Sequence, residues 1–546
     1  MTRANSDFDF GIIGSGFAAS VLAMILQRLG RRCVMIDSAS HPRFAIGESS
    51  TPIADQILLD LSQDFDLPEL RELARWQTAR RIPSVVVGCK QGFSYFFHDQ
   101  RCQPSAGAVS KTQGQEFAAK DRIGSEFQQA QDVSSSAVPY LVVPASPDQE
   151  NADSHWLRST VDQFLAKSAQ QCGAVLWERT TVVSVDRVGT GWRLGVDRYS
   201  AGQQVPNQQV PNLEETELQV DFLVDASGAA NVVGRALGIP SATTSMLTQT
   251  ACVYGHFHLP VHWESVWQKW AIDSSRFSFP AQNAAMHHVT NDGWLWHLGF
   301  DNDQVSLGWV LNQNSGCVLP KSDDRQHLAP WWDKRLAAYP LLQGLYQNAE
   351  PVDVHRTLRY IPKVQRMVSQ AAGEGWLALP STAGFVDPLH SSGISHSLSA
   401  VQKIAMHLAR CDHLSTEFCR DYDRRLRQEF WLLDRIVSLA YASLPDAKKW
   451  EAATMVYFTA AIAFEEERNR RRAIPDRQAI PIPDFLLADQ PDWLEQVIRA
   501  MGLVNRKKPP KEGWLVAMSD ILGSRNTAGL CDFNCKGVYQ YTSAKK

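Results

Sequence analysis

Three short stretches combine residue types that bind anions, hydroxyls and protons. Gly14-Ser15-Gly16-Phe17-Ala18-Ala19 is a G-x-G-x-x-A turn, and Asp37 follows at the spacing of a dinucleotide fingerprint. In that pattern Gly14 makes the tight turn, Gly16 lets the backbone approach a pyrophosphate, and Ala19 keeps helix and strand close. Asp37 is placed to accept from a ribose 2′-hydroxyl, and an acid there disfavours a 2′-phosphate. Near the other end stands Gly384-Phe385-Val386-Asp387-Pro388-Leu389-His390-Ser391-Ser392-Gly393-Ile394. Asp387 can accept from the hydroxyls of a cofactor, and the N–H groups that open the next helix form an anion site. Between these lies Lys90, in Cys89-Lys90-Gln91-Gly92-Phe93. A strand lysine usually faces solvent; one beside a Gly-Phe turn and flanked by aromatics is less ordinary.

Each stretch needs elements that hold it. Phe8 to Ile13 reads as a buried strand, the helix after the glycine turn runs to about Leu29, and Cys33 to Ile36 is a second strand ending at Asp37. Strand, turn, helix, strand and terminal acid together say far more than the glycines alone. Trp376 to Leu379 reads as another buried strand, and Ile394, Leu398, Val401, Ile404 and Leu408 recur at helical spacing. Pro388 must end the strand, Ser391 or Ser392 can cap the helix, and Gly393 admits a close neighbour. Ser84 to Phe97 reads as two strands of an antiparallel sheet.

Other segments surround these. His41 to Pro52 is polar and turn-rich. Arg43 is placed to meet a cofactor phosphate, and Glu48, Ser49 and Ser50 to line its ring; an ordinary surface loop has the same composition. Residues 100 to about 152 read as a long loop. Arg158 and Asp162 fall one turn apart on a helix starting near His155, either as an ion pair or with the arginine beside the cofactor. Strands around Gly189-Thr190-Gly191 form a hairpin, and the repeated Gln-Gln-Val-Pro-Asn at 203–212 extends its tip. Val220 to Val224 ends in a second acid and glycine, Asp225 and Gly228. Residues 245 to 365 read as a β-sheet with short helices, in which Trp294 and Trp296 share one strand face, as core or as the wall of an aromatic pocket. Beyond 394 the chain turns helical: Phe418 to Val437 lie on one helix and a second, started by Pro445, runs through Trp450 to about Arg472, with Glu465, Glu466 and Glu467 facing Arg470 and Arg471 as exposed pairs.

With 546 residues, 44% hydrophobic and 21% charged, the chain should bury a large core. A formal charge of -4 argues against a nucleic-acid binder. The ten cysteines are scattered without zinc spacing, so no metal site is expected. The N-terminus runs straight into a strand and no apolar run is long enough to span a bilayer, so a cytoplasmic protein without leader or membrane contact is expected.

These blocks together resemble the flavin-dependent halogenases, most closely the monodechloroaminopyrrolnitrin and phenolic types. The matching stretches are Gly14 to Ala19, His41 to Pro52, the Lys90 strand, Gly293 to Trp296, Gly384 to Gly393, and the helical part from Phe418 to about Glu467. The family's F-x-x-P-x-x-S-x-G pattern is met by Phe385, Pro388, Ser391 and Gly393. The resemblance implies an α/β fold: a Rossmann-like FAD-binding module (1–410) with an inserted mixed or antiparallel substrate sheet (about 80–150 and 240–365), and a C-terminal helical subdomain (411–546). It implies FAD, used as FADH2 from a separate flavin reductase, with O2 and chloride or bromide giving hypohalous acid. Lys90 matches the lysine that presents halogen to an electron-rich aromatic small molecule, as haloamine carrier or as hydrogen-bond donor. Backbone N–H groups of Ser392 and Gly393 match the halide site. Gly14, Gly16, Ala19, Asp37, Arg43, Glu48, Ser49, Ser50, Arg158, Asp225, Gly228 and Asp387 are the expected cofactor contacts, and Phe93, Trp294 and Trp296 the expected substrate pocket.

The sequence departs from the family twice. W-x-W-x-I-P keeps Trp294 and Trp296 but has Leu298-Gly299 in place of Ile-Pro. At His390 the tryptophan halogenases carry a glutamate and the pyrrole and phenol types an apolar aromatic. His390 is thus a candidate general base, set against a hydrogen-bonded histidine packing under the turn. Two other readings remain: a FAD-dependent aromatic monooxygenase on the same fold, and a flavin-binding scaffold without turnover.

Overall fold

The computed structural model describes residues 6–99, 138–200, 204–205, 208–209, 212–353, 358–474 and 480–540. Its first sheet runs, in spatial order, Trp376–Ala378, Asn212–Asp225, Phe8–Ile13, Cys33–Ile36 and Val175–Trp177, all parallel. Near-continuous apolar sequence in Phe8–Ile13 and Cys33–Ile36 fits strands covered on both faces. Helix Phe17–Arg28 covers one face, packed on helices Arg158–Gln171 and Ser392–Leu408. The expected hairpin, Thr180–Val188 with Gly191–Ser200, adds antiparallel to the long strand Asn212–Asp225. At its tip Gln204–Val205 pairs with Gln208–Gln209; the rest of the repeated segment lies outside the described residues.

The second sheet runs Thr250–His258, Gln304–Asn312, Gly293–Gly299, Ala284–Thr290, Gly92–Phe97 and Tyr140–Pro144. It is antiparallel except where Ala284–Thr290 pairs with Gly92–Phe97. Its alternation splits the apolar residues between two cores. Trp294 and Trp296 face the large core shared with the first sheet, and Leu295 faces a smaller one with Trp309 and Trp332.

Three expectations are corrected. Val87–Lys90 and Gly92–Phe97 do not pair with each other: the lysine strand pairs antiparallel with Asp153–Trp156 in a small sheet of its own. The chain crosses from one sheet to the other through two glycines. A Cβ on Gly88 would lie 1.9 Å from the Gly299 carbonyl oxygen, and one on Gly92 2.3 Å from that of Val143. Second, the loop expected at 100–152 contains the strand Tyr140–Pro144, whose partner is remote in sequence; residues 100–137 lie outside the described residues. Third, His155 belongs to a strand, and the helix begins at Arg158.

Helices Thr416–Tyr441 and Ala447–Arg472 pack side by side, followed by Pro491–Val504 and Trp514–Leu522. Glu467 pairs with Arg470 at the surface, as expected. Glu465 and Arg471 are buried instead, because each sits on the inward face of the helix. The chain's tail returns to the second sheet. Val142 donates to the Gly537 carbonyl (2.7 Å) and Tyr539 to that of Val142 (3.0 Å), which closes the free side of the edge strand Tyr140–Pro144. Among the described residues no helix is long and apolar enough to cross a membrane, and no cluster of His, Cys, Asp or Glu is arranged to hold a metal.

Candidate active site

The fingerprint turn folds as its glycines dictate. Gly14 has φ +109, and a Cβ there would lie 2.4 Å from the Ala226 carbonyl oxygen, so no other residue fits. At Gly16 the nearest neighbours of an added Cβ are the guanidinium nitrogens of Arg43 (3.5 Å) and Arg158 (3.8 Å) and the Asp162 carboxylate that pairs with Arg158 (3.8 Å). The helix beginning there has neither a side-chain cap nor an acid in its first turn. An open backbone, two cations and an uncapped helix N-terminus fit a pyrophosphate. Asp37 lies beside the turn and accepts from Ser15 N (2.9 Å), Ser15 Oγ (2.7 Å) and Ala39 N (2.9 Å).

Arg158 makes the ion pair expected of it and also holds the neighbouring loop. It forks onto Asp162 (2.7 and 2.9 Å) and donates to the Ile46 and Gly47 carbonyls (2.9 and 3.1 Å), which fixes the loop beside the turn. Glu48 is buried against His256 (2.9 Å), and this carboxylate holds the imidazole above its ordinary pKa despite the opposing effect of burial. Ser50 N donates to the Ser154 carbonyl (2.9 Å). The loop therefore lies along one side of Asp153–Trp156 while the lysine strand lies along the other. Ser49 Oγ is buried and has no hydrogen-bond partner among the described residues, as suits a group waiting for a ligand.

Two expected cofactor contacts are turned elsewhere. Asp225 spends its carboxylate on Ser227 N (3.0 Å), Ser227 Oγ (2.6 Å) and Val233 N (2.7 Å), so it closes its own turn. Gly228 stays at that turn with φ +62 and open space above it. Asp387 points inward and accepts from Thr250 Oγ1 (2.8 Å), Tyr441 Oη (3.0 Å) and Leu389 N (3.0 Å). Burial pushes its pKa up to about 7, against these hydrogen bonds.

Lys90 ends its strand directly opposite Asp153 and has no solvent exposure. Its Nζ lies 3.6 Å from Asp153 Oδ2 and 4.2 Å from the centre of the Phe93 ring, and makes no hydrogen bond among the described residues. Burial pulls its pKa below the ordinary lysine value; Asp153, Asp55 and Glu465 offset this only in part. Beside Phe93 is a small, partly open cavity of about 20 Å³, lined by Thr51, Ile53, Tyr457, Phe458 and Glu465. That is room for about one water, so an aromatic ring enters only if side chains move.

His390 reaches the same wall. Its ring stacks on Tyr457 (4.3 Å between centroids, 7° between planes). Neither ring nitrogen has a hydrogen-bond partner among the described residues. It is therefore not the hydrogen-bonded packing histidine weighed above. Burial, with His287 nearby, holds the imidazole well below its ordinary pKa, hence neutral. His390 and Ser391 both have left-handed backbones (φ 70 and 57), which bring the first turn of Ser392–Leu408 round behind the histidine. Ser391 occupies the N-cap position without a side-chain cap, so the N–H groups of that turn are left open, and the space at Gly393 meets only Phe385 (3.8 Å).

Of the expected pocket residues, Phe93 lines the cavity and the two tryptophans do not. Trp296 lies over Gly308, where a Cβ would be 2.2 Å from its ring, and bonds Ser306 Oγ (3.0 Å). Trp294 meets His287 at a tilt (4.8 Å) behind the lysine. The fold thus gathers Lys90, Phe93 and His390, with Ser392 and Gly393 behind the histidine. It adds Asp153, Tyr457, Phe458 and Glu465, which sequence reasoning missed or assigned to core and surface. The only available signal was a carboxylate one helical turn beyond an apolar stripe.

A family model described as tryptophan halogenase matches residues 155–465. Monodechloroaminopyrrolnitrin halogenase PrnC of Pseudomonas fluorescens is 24% identical over 462 residues, 82% of this chain and 70% of that protein. Tetracycline 7-halogenase of Kitasatospora aureofaciens is 23% identical over 471 residues, 83% of this chain and 73% of that protein. Among solved structures, halogenase PltM in complex with phloroglucinol and FAD shares the fold, with a TM-score of 0.76 and 20% identity over 98% of this chain and 99% of that one.

Proposed function

The chain belongs to the tryptophan-halogenase family of flavin-dependent halogenases, and from that premise we propose that it transfers chlorine or bromine to an electron-rich aromatic small molecule, using O2 and FADH2 delivered by a separate flavin reductase. FAD would be held by the Gly14–Ala19 turn, Asp37, Arg43, Arg158 and the Glu48–Ser50 loop. When bound and reduced, it supplies the oxygen activation that converts a halide to hypohalous acid. The turn at Ser392 and Gly393 holds the halide by backbone N–H groups.

The observation that carries this reading is the state of Lys90: fully buried, 3.6 Å from the Asp153 carboxylate, with its pKa lowered. Such an amine frees its lone pair at lower pH than an exposed lysine does. It attacks the halogen of hypohalous acid: an N–X bond forms, the X–O bond breaks, and water leaves. The ring then takes the halogen from nitrogen, and the amine regains its proton. His390, neutral and without a partner for either nitrogen, accepts the ring proton. Phe93, Tyr457 and Phe458 pack the ring, which favours a flat apolar substrate.

The test is mass spectrometry of a phenol, pyrrole and indole panel with enzyme, FAD, a flavin reductase with NADH, oxygen and bromide. A bromine isotope doublet that vanishes in Lys90→Ala is expected. A gain of one oxygen that persists in Lys90→Ala would make the protein a monooxygenase instead. In His390→Phe, turnover should fall about 10²-fold; unchanged turnover removes His390 from the mechanism.

A further inference from the structure

We infer that Asp387 is a positioning residue that ties the strand of Trp294 to the turn bearing His390, Ser392 and Gly393, through the hydroxyl of Tyr441. Trp294 Nε1 donates to Tyr441 Oη (2.8 Å). Tyr441 Oη donates in turn to both carboxylate oxygens of Asp387 (3.1 and 3.0 Å). The same carboxylate receives Leu389 N (3.0 Å), which closes the turn one residue before the left-handed His390. Thr250 Oγ1 adds a fourth contact (2.8 Å) from the second sheet. Trp294, Tyr441 and Asp387 are all buried, so water cannot substitute for a lost partner.

The direction of these bonds is fixed by chemistry. An indole N–H only donates, so Tyr441 must accept from it and place its own proton on Asp387. Burial, then Asp387 itself, holds the phenol well above its ordinary pKa, so that proton is present. One carboxyl thereby joins three separate pieces of the molecule: the sheet strand Gly293–Gly299, the end of helix Thr416–Tyr441, and the turn before helix Ser392–Leu408. The Trp294 ring meets His287 at a tilt, and His287 lies close enough to Lys90 for that charge to lower its pKa and close enough to His390 to lower that one. A shift of the turn is therefore felt at the wall behind the lysine. The carboxylate has no share in cofactor hydroxyls; it sets where the turn's N–H groups point. This rests on the reading of that turn as the halide site.

Tyr441→Phe cuts the link by one oxygen atom, Trp294→Phe removes the donor at its far end, and Asp387→Asn leaves one acceptor oxygen for three donors. Two readouts are taken on each: the bromide KM in the reductase-coupled assay, and the rise in Tm of the purified full chain in bromide over acetate at equal ionic strength, which needs no turnover. In the wild type, bromide should raise Tm. In the three variants the bromide KM should rise roughly tenfold and the bromide-specific rise in Tm should be lost, with the FAD Kd within about twofold of wild type. Tyr441→Phe combined with Asp387→Asn should be no worse than either alone. Folded variants that keep the wild-type bromide KM and Tm response overturn the inference. So does an Asp387→Asn whose FAD affinity falls while its bromide response survives, which would return Asp387 to the cofactor. A wild type without bromide response and without halogenated product sinks the halide reading itself, and the inference with it.

Discussion

Lys90 is fully buried and Lys403 nearly so, and their surroundings differ. Lys403, on helix Ser392–Leu408, puts Nζ 2.5 Å from Glu429 and 2.9 Å from Asp484. Glu429 also receives His396 Nε2 (2.9 Å) and Phe485 N (2.8 Å). Burial would pull the pKa of Lys403 down, but Glu429 and Asp484 together raise it above the ordinary value. Lys90 has one near carboxylate, at 3.6 Å, and the face of Phe93, and its pKa is lowered. A buried ammonium touched by two carboxylates is a strut between helices; one with a single longer ion pair and a lowered pKa is an amine with chemistry left to do.

The sharpest way to test this contrast is to remove each charge. Lys90→Met should lower halogenation by roughly 10³-fold or more, read as brominated product per turnover of NADH. Lys403→Met should cost about 3–5 kcal/mol in denaturant unfolding, since two buried carboxylates lose their cation, while the folded fraction keeps its turnover. If Lys403→Met abolishes chemistry in folded protein, the two lysines are not so different. A subtler test uses pH. A carrier amine must be unprotonated, so kcat/KM should rise with pH through the lowered pKa of Lys90 and level off above it, well before 10.5. A rate that falls over that range would make Lys90 a charged donor. The smallest effect belongs to Asp153→Asn. Asp153 raises the lysine pKa, so its loss should move the acid limb to lower pH; no movement would mean that Asp153 does not hold the amine.

How much of this was legible depended on distance along the chain. The turn at Gly14, its strands and Asp37 lie within thirty-odd residues, each with a local signature, and the fold keeps them as read. The helices after 394 were legible for the same reason, since their apolar stripe repeats locally. Lys90 was noticed from its neighbours, but its partner Asp153 is sixty-three residues away across an unpatterned segment, so the pairing that defines its chemistry could not be read. Asp387 and Asp225 show the opposite failure. A carboxylate at a strand end looks the same whether its lone pairs go outward to a ligand or inward, and Thr250 and Tyr441, which decide the matter for Asp387, come from other elements. Glu465 was read as surface because its neighbours Glu466 and Glu467 are charged; only the packing of the whole helix shows which way it faces.

The tail that pairs with Val142 has a practical meaning for anyone handling the protein. Residues Gly537 to Tyr539 occupy the open side of Tyr140–Pro144, whose other neighbour, Gly92–Phe97, carries Phe93 to the cavity. A clone trimmed ahead of Gly537 would bare the amide and carbonyl of Val142 on an apolar edge strand, an invitation to edge-to-edge self-association. Such material should elute as oligomers and lose activity on storage even with every reactive group intact. Shortening for crystallisation is better done elsewhere.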